Sequence, residues 1–151
     1  MSNLTAFLTM IGNSEGTVGI PGSDNGYNVL VGSTYNHPLL FNDYSDHPNV
    51  YNARFNSTAA GRYQIIHRTY EAYKTILGLS DFGPAAQDAI ATEIIKEFKA
   101  YADVMAGDID SALYKLNSQW ASFPGGTSGQ HENLPGNLKQ AFVNAGGVLS
   151  V

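Results

Sequence analysis

An amphipathic N-terminal segment is followed abruptly by a long stretch without helical period, and this change of pattern limits the folds the chain can adopt. The i, i+3, i+4, i+7 spacing predicts a first helix whose apolar stripe is Leu4, Phe7, Leu8 and Ile11. Ser2 can cap its start, and Gly16 can end it. Residues 16 to 62, by contrast, are rich in Gly, Asn, Asp, Ser, Tyr and Pro. Within them we expect two short strands, YNVLVG (27 to 32) and PLLFNDYSD (38 to 46), the second leading into a turn.

The later chain is periodic again and predicts four helices. Their marker residues are Tyr70, Tyr73 and Leu77, ended by Gly78; Ile90, Ile94, Phe98 and Tyr101, begun at Pro84; Ile109, Leu113, Leu116 and Trp120, capped by Asp108; and Leu138, Ala141, Phe142 and Ala145. We therefore expect an α+β fold within a single domain, residues 1–151. It would combine a mainly helical lobe (1–15 and 65–151) with a small β-containing lobe (about 16–64), and a cleft between the lobes.

Composition excludes several function classes. The chain has 151 residues, a net charge of −5 and only eight Lys and Arg, which argues against a nucleic-acid partner because phosphate contacts need basic residues. Without cysteine it has no disulfide and no thiolate site. No apolar run approaches a membrane span, and the N-terminus lacks the features of a secretory signal. We expect synthesis in the cytoplasm and no stable membrane association.

Glu15 is the most informative single residue. One further helical turn from Ile11 lands on Glu15, which puts its carboxylate on the buried face at the helix C-terminus. Burial and the negative end of the helix dipole both raise a carboxyl pKa, as a proton donor requires. An ordinary glutamate at a frayed helix end fits the same pattern. Glycosidases commonly pair such an acid with a second carboxylate, for which turn-like Asp24, Asp43 and Asp46 are the candidates.

The other motifs are weaker indications of function. GNSEG matches the nucleophile-elbow pattern at Ser14, but the elbow needs a strand before it, whereas here a helix precedes. GGTSG (125 to 129) lacks the ending of a phosphate loop, and the four histidines lack metal-ligand spacing. In GRYQ, Tyr63 and Gln64 suit sugar contacts, although the residues alone favour a buried tyrosine and a surface glutamine. Trp120 is more typical of a core residue than of a stacking platform. We expect no metal and no cofactor.

Seven segments together resemble the phage lambda-type endolysins: SEGT, GYNVLVG, DYSDHP, STAAGRYQ, QDAIA, WASFPG and NAGG, in family order and approximate spacing. The resemblance covers nearly the whole chain. It implies a lysozyme-like fold and a peptidoglycan lytic transglycosylase that cleaves the β-1,4 bond between N-acetylmuramic acid and N-acetylglucosamine without water. Glu15 would be the acid and base, and 1,6-anhydro ends would form.

The resemblance also implies glycan contacts at the positions that match the family: Asn28, Tyr44, His47, Tyr63, Gln64, Trp120 and Gln130. Two positions depart from the family pattern, which has aspartate at Asn28 and an aromatic at Ser128. The partners it implies are peptidoglycan strands, and a holin that releases a monomeric enzyme from the host cytoplasm to the periplasm. Two alternatives remain open: a hydrolytic muramidase using Glu15 with a second carboxylate, and a non-catalytic glycan-binding or virion module.

Overall fold

The computed structural model describes residues 2–125 and 132–151, and these contain six helices. The helices are α1 (Asn3–Glu15), α2 (His67–Leu77), α3 (Pro84–Glu97), α4 (Tyr101–Ala106), α5 (Ile109–Leu116) and α6 (Pro135–Asn144). The chain divides into two compact units. Unit 1 combines Met1–Glu15 with Thr92–Val151, and unit 2 is Gly16–Ala91, so that α3 begins in unit 2 and ends in unit 1.

Helix α1 forms as the apolar stripe predicts. Phe7 and Ile11 are fully buried in unit 1, where α1 packs against α4 and α6. The helix ends at Glu15 because Gly16 adopts a φ of +76°, a left-handed conformation that glycine takes without strain. The predicted first helix is therefore confirmed, with its last residue at Glu15.

The other helices of unit 1 follow the sequence with two corrections. The Asp108 cap is confirmed, because its side chain accepts hydrogen bonds from the N–H and the hydroxyl of Ser111. Helix α3, however, ends at Glu97 and does not continue to Tyr101, where the separate helix α4 begins. Lys99 lies between them at a φ of 62°, which no helix accommodates. Trp120 lies four residues beyond the end of α5, directly after the turn formed by residues 117–119.

Unit 2 contains isolated β-bridges in place of the predicted strands. Among the described residues the bridges are Val29–Leu40, Leu30–Ala60, Asn52–Ser57 and Ala60–Ile65. The cause is visible at two neighbouring residues. Leu30 donates its N–H to Leu39, whereas Val31 donates its N–H to Ala59, in a different segment. Because the partner changes at each step, no two consecutive bridges join into a ladder, and the β-containing character of this lobe is not confirmed.

A buried glutamine holds the irregular chain of unit 2 in place. Gln87 on α3 is fully buried; its Oε1 accepts from the Arg62 N–H at 3.0 Å, and its Nε2 donates to the carbonyls of Tyr27 and Phe82. Gly61, with a φ of +85°, lies directly against this side chain. The Gly61 backbone thus approaches the Gln87 side chain too closely for a Cβ.

The single-domain organisation and the cleft between lobes stay predictions. Unit 2 includes α2, which the sequence pattern grouped with the helical lobe. Over residues 2–125 and 132–151, no helix combines the length and apolar character needed to cross a bilayer.

Candidate active site

Glu15 ends α1 in unit 1, one turn beyond the buried Ile11. Its carboxyl lies among protein atoms, although the residue retains some accessible surface. This desolvation raises the pKa of Glu15 to about 7, against a smaller lowering effect of a hydrogen bond from Ser122. At neutral pH the side chain is therefore divided between its acid and carboxylate forms, as a group that must both give and take a proton requires.

Ser122 makes the direct contact to this carboxyl. Its hydroxyl donates to Glu15 Oε2 at 2.5 Å, across 107 positions of sequence. The Ser122 hydroxyl also lies 2.7 Å from that of Ser14, which belongs to α1. Both serines are nearly inaccessible to solvent, at 7% and 9% exposure, so protein groups and not bulk water supply their partners.

Asn133, two residues before α6, closes the cluster. Its Nδ2 donates at 3.0 Å both to the Ser14 hydroxyl and to the Ser14 carbonyl. Its backbone N–H donates to the Ser122 carbonyl at 2.8 Å. We call Glu15, Ser14, Ser122 and Asn133 the Glu15 cluster. It joins the end of α1 to the two ends of the segment that connects α5 with α6.

The aromatic core of unit 1 supports the segment that carries Ser122. Trp120 is 3% exposed and packs on Phe123, with ring centroids 5.7 Å apart. Phe123 in turn meets Phe7 of α1 edge-on at 6.4 Å. The core interpretation of Trp120 is therefore confirmed, and its contribution to the site is to hold the chain on either side of Ser122.

Sequence reasoning missed Ser122 and Asn133, and it considered Ser14 only as a nucleophile. Each is a small polar residue whose role depends on contacts more than 100 positions away. No local pattern reports such a contact. The one available signal was that Ser122 lies inside WASFPG, a segment already quoted for the resemblance.

In unit 2, Tyr44 and Asn28 meet at Asp24. The Tyr44 hydroxyl donates to Asp24 Oδ2 at 2.8 Å, and the Asp24 N–H donates to Asn28 Oδ1 at the same distance. Asp24 is exposed, while Tyr44 and Asn28 are half-buried, so this group presents polar atoms to solvent. Burial, followed by the hydrogen bond to Asp24, raises the pKa of the Tyr44 phenol. Tyr44 therefore stays neutral at physiological pH.

Tyr63 and Gln64 are held by protein groups. Tyr63 is fully buried, and its hydroxyl donates to Asp88 Oδ1 at 2.5 Å. Gln64 is half-buried and donates through Nε2 to the carbonyls of Val29 and Gly61. The buried-tyrosine interpretation of GRYQ is confirmed, and Gln64 is partly exposed.

His47 is a buried structural histidine at 4% exposure. Its Nδ1 accepts from the Asn49 N–H at 2.9 Å, so Nε2 carries the hydrogen and donates to the Ile65 carbonyl at 2.8 Å. Burial, the largest influence, lowers the pKa of His47 and keeps the ring neutral. The ring packs against Phe82 at 4.8 Å and Tyr70 at 5.7 Å.

The three candidate second carboxylates belong to different local structures. Asp24 accepts from Tyr44, Asp43 accepts from the Ser45 N–H, and Asp46 accepts from the His47 N–H. The backbone hydrogen bond from Ser45 is the largest influence that lowers the pKa of Asp43. The turn interpretation of NDYSD is thus supported at both aspartates.

Among the described residues, no three His, Asp or Glu side chains converge as a metal site would require. Gln130 and Ser128 lie outside the described residues.

Comparison with known proteins identifies relatives over nearly the full length of the chain. The sequence profile of the Endolysin family matches residues 5–149. The chain is 42% identical over 149 residues to the endolysin of Escherichia phage lambda, covering 95% of this chain and 91% of that protein. It is 41% identical over 155 aligned positions to the endolysin of Escherichia phage P2, covering 97% of this chain and 94% of that protein.

Solved structures give the same result. Bacteriophage lambda lysozyme in complex with a chitohexasaccharide superimposes with a TM-score of 0.91 at 41% identity, over 99% of this chain and 97% of that one. A second structure, lysozyme from bacteriophage lambda, gives a TM-score of 0.85 over the same shares. The lysozyme-like fold implied by the sequence motifs is confirmed by these superpositions.

Proposed function

Because the chain belongs to the Endolysin family, we propose that it degrades bacterial peptidoglycan with Glu15 as its single acid and base. The bond cleaved is the β-1,4 linkage between N-acetylmuramic acid and N-acetylglucosamine. The observation that carries the proposal is the environment of Glu15, whose burial raises its pKa to about 7. A carboxyl with that pKa transfers protons in both directions at neutral pH.

The reaction proceeds without water. Glu15 in its acid form protonates the glycosidic oxygen as the bond to the anomeric carbon breaks, and positive charge develops on the sugar ring. The C6 hydroxyl of the same muramic residue then attacks the anomeric carbon and returns its proton to the Glu15 carboxylate. One C–O bond breaks and one forms, the enzyme regains its proton, and the product carries a 1,6-anhydro ring.

The known influences on Glu15 support a mechanism with one carboxyl group. Its pKa is set by burial and by the Ser122 hydroxyl, and neither influence is a second carboxylate. Asp24 and Asp46 accept hydrogen bonds within unit 2, as does Asp43. Intramolecular attack by a sugar hydroxyl needs no second carboxylate to activate water.

For substrate contacts we propose Tyr44 and Asn28 with the exposed Asp24 beside them, since they offer hydroxyl and amide groups to a sugar. Gln130 remains a proposed contact. His47, Tyr63 and Trp120 are buried, and Gln64 is occupied by backbone carbonyls, so these four support the fold around the contacts. That a lambda lysozyme was solved with a chitohexasaccharide supports a glycan chain as the ligand here.

The cellular context follows the family. We propose that the protein is made in the host cytoplasm, acts as a monomer and reaches the periplasm after a holin opens the membrane. Its partners there are peptidoglycan strands, with no metal and no cofactor.

A hydrolytic muramidase is the second candidate, favoured by one observation. Asp43 is fully exposed and its pKa is lowered by the Ser45 hydrogen bonds, so it is ionised at neutral pH as a general base or nucleophile would be. Hydrolysis adds a water molecule across the cleaved bond, whereas transglycosylation does not. The presence or absence of that water in the products therefore distinguishes the two reactions.

The experiment is digestion of purified peptidoglycan in heavy-oxygen water, followed by mass spectrometry of the soluble muropeptides. Transglycosylation gives anhydro ends, one water lighter than reducing ends, with no heavy oxygen. Hydrolysis gives reducing ends that carry the label. Glu15→Gln serves as the inactive control. If the wild type binds peptidoglycan and releases no muropeptides, the chain is a glycan-binding module and the proposal is wrong.

A further inference from the structure

We infer that Ser122, held by Ser14 and Asn133, is a positioning residue that occupies Glu15 Oε2 and thereby makes Oε1 the oxygen that carries the transferred proton. This inference rests on the proposed function, because it concerns how the same carboxyl is oriented. It is argued from the hydrogen bonds of the Glu15 cluster, which allow one consistent placement of hydrogens.

The Asn133 amide can adopt only one orientation in this cluster. Its Nδ2 lies 3.0 Å from the Ser14 carbonyl and 3.4 Å from the Ser122 carbonyl, and both of these atoms accept only. The atom facing them must therefore be the NH₂ nitrogen and not the amide oxygen. The same nitrogen lies 3.0 Å from Ser14 Oγ, and its two hydrogens go to the two nearest acceptors, Ser14 Oγ and the Ser14 carbonyl.

The hydroxyl hydrogens of Ser14 and Ser122 then have one arrangement. Ser14 Oγ receives a hydrogen from Asn133, and its own hydrogen points to Ser122 Oγ, the acceptor that the structure gives it among residues 2–125 and 132–151. Ser122 has one hydroxyl hydrogen, which is then free to point to Glu15 Oε2. The donation runs in one direction, from Asn133 to Ser14, to Ser122 and to Glu15.

The state of the Glu15 carboxyl follows from this arrangement. Because Oε2 accepts from Ser122, and the carbonyl oxygen of a carboxylic acid is a better acceptor than its hydroxyl oxygen, the acidic proton is placed on Oε1. Within the described part of the chain, Oε2 is the Glu15 oxygen that has a hydrogen bond, which leaves Oε1 for a substrate. Neutral and ionised Glu15 both accept from Ser122, so the side chain keeps one orientation while the proton leaves and returns.

Burial makes this arrangement specific. Ser14 and Ser122 are nearly inaccessible, so a lost hydroxyl is not replaced readily by bulk solvent. The three supporting residues come from α1, from the segment after α5 and from the residues before α6. The end of α1 is thus fixed against both sides of the α5–α6 connection, which holds the carboxyl near its working geometry.

The test is a carbon-13 NMR titration of the Glu15 carboxyl in the wild type, Ser122→Ala, Ser122→Thr and Ser14→Ala. Ser118→Ala is the matched control, since Ser118 is exposed and lies four positions before Ser122. We expect Ser122→Ala to raise the Glu15 pKa by about 1, because a hydrogen bond to the ionised form is lost. Ser122→Thr should retain the wild-type pKa, and Ser14→Ala should give a smaller rise, since Ser122 still donates.

Activity provides the second measurement. Muropeptide release by Ser122→Ala should fall about 10–100-fold at saturating peptidoglycan, with binding of peptidoglycan unchanged and with the alkaline limb of the pH profile moved upward. Threonine should restore most of the rate. An unchanged Glu15 pKa in folded Ser122→Ala, or a larger effect of Ser14→Ala than of Ser122→Ala, would overturn the inference.

The NMR titration needs no substrate, so it separates this inference from the proposed function. If the wild type cleaves no peptidoglycan while Ser122→Ala shifts the Glu15 pKa, the hydrogen-bond arrangement stands and the catalytic role fails. If the wild type cleaves and the pKa does not move, the function stands and the positioning role fails.

Discussion

The side chain of Gln87 occupies the space that a Cβ would need at Gly61. Gly61 has a φ of +85°, and an added Cβ would overlap the Gln87 amide, which itself holds three backbone groups of unit 2. We therefore expect Gly61→Ala to lower the free energy of unfolding by about 2–3 kcal/mol through strain and displacement of Gln87. Chemical denaturation measures this. Gly19→Ala is the control, since nothing lies within 4 Å of its added Cβ, and equal losses in both variants would contradict the explanation.

Replacing the proposed acid should remove activity and keep the fold. We expect Glu15→Gln to reduce muropeptide release by at least about 100-fold, the scale of general acid–base catalysis. The amide can still accept from Ser122, so the circular dichroism spectrum should stay close to that of the wild type and the variant should be no less stable at neutral pH. An active Glu15→Gln variant would remove Glu15 from the mechanism, and an unfolded one would make it structural.

Glu15 should also make stability depend on pH. Its pKa is about 7 in the folded protein, against an ordinary value of 4.5 in the unfolded chain, so folding favours the protonated form. The resulting stabilisation is complete below pH 4.5 and is lost as the pH rises through about 7. We expect Glu15→Gln to gain up to about 3 kcal/mol relative to the wild type between pH 4 and pH 8. Denaturation of both proteins across this range measures the difference, and a flat difference would contradict the raised pKa.

His47 should act in the opposite direction. Its pKa lies below the ordinary histidine value of 6.5, mainly because the ring is buried, and protonation of Nδ1 would oppose the Asn49 N–H. This contribution to stability is present above pH 6.5 and is lost as the pH falls towards the folded-state pKa. His47→Gln should remove that part of the acid sensitivity, whereas His37→Gln, at an exposed position, should retain it. If both variants keep the wild-type pH dependence, His47 is not its source.

Two tyrosine variants should separate contact residues from scaffold. Tyr44→Phe removes a half-buried hydroxyl that meets the exposed Asp24, and we expect about five-fold weaker glycan binding with stability nearly unchanged. Tyr63→Phe removes a buried bond to Asp88 and should cost about 1.5–3 kcal/mol of stability without a matching loss of affinity. Calorimetric titration with a chitooligosaccharide and denaturation measure the two quantities. If Tyr44→Phe lowered stability and Tyr63→Phe weakened binding instead, the proposed roles of the two residues would be exchanged.

The helices and the location of Glu15 could be predicted because their signals are local. Phe7 and Ile11 lie one turn apart and define the buried side of α1, so the next turn places Glu15 without any tertiary information. The break at Lys99 could not be predicted, because no glycine or proline marks it and a lysine took the left-handed conformation. The predicted strands of unit 2 did not form for a related reason, since Leu30 and Val31 donate hydrogen bonds to two different segments.

The support of the active site was the least predictable part. Trp120 and Tyr63 are buried, as their residue types favoured because large aromatic side chains usually belong to cores, although the resemblance also implied glycan contacts at both. Ser122 and Asn133 carry no such preference, and their roles arise only when α1 meets the α5–α6 connection. Recognition of the WASFPG segment located the region, and the hydrogen bonds of the structure supplied the reason for it.

The division of unit 1 into two stretches has a consequence for the growing chain on the ribosome. All of unit 2 emerges between Glu15 and the rest of unit 1, and Ser122, which donates to the Glu15 carboxyl, lies 107 positions later. Docking of α1 must therefore wait for α4 and α6, which makes it a late and non-local step of folding. A nascent chain carries its glutamate from the start but assembles the surroundings that make it an acid only near the end of synthesis.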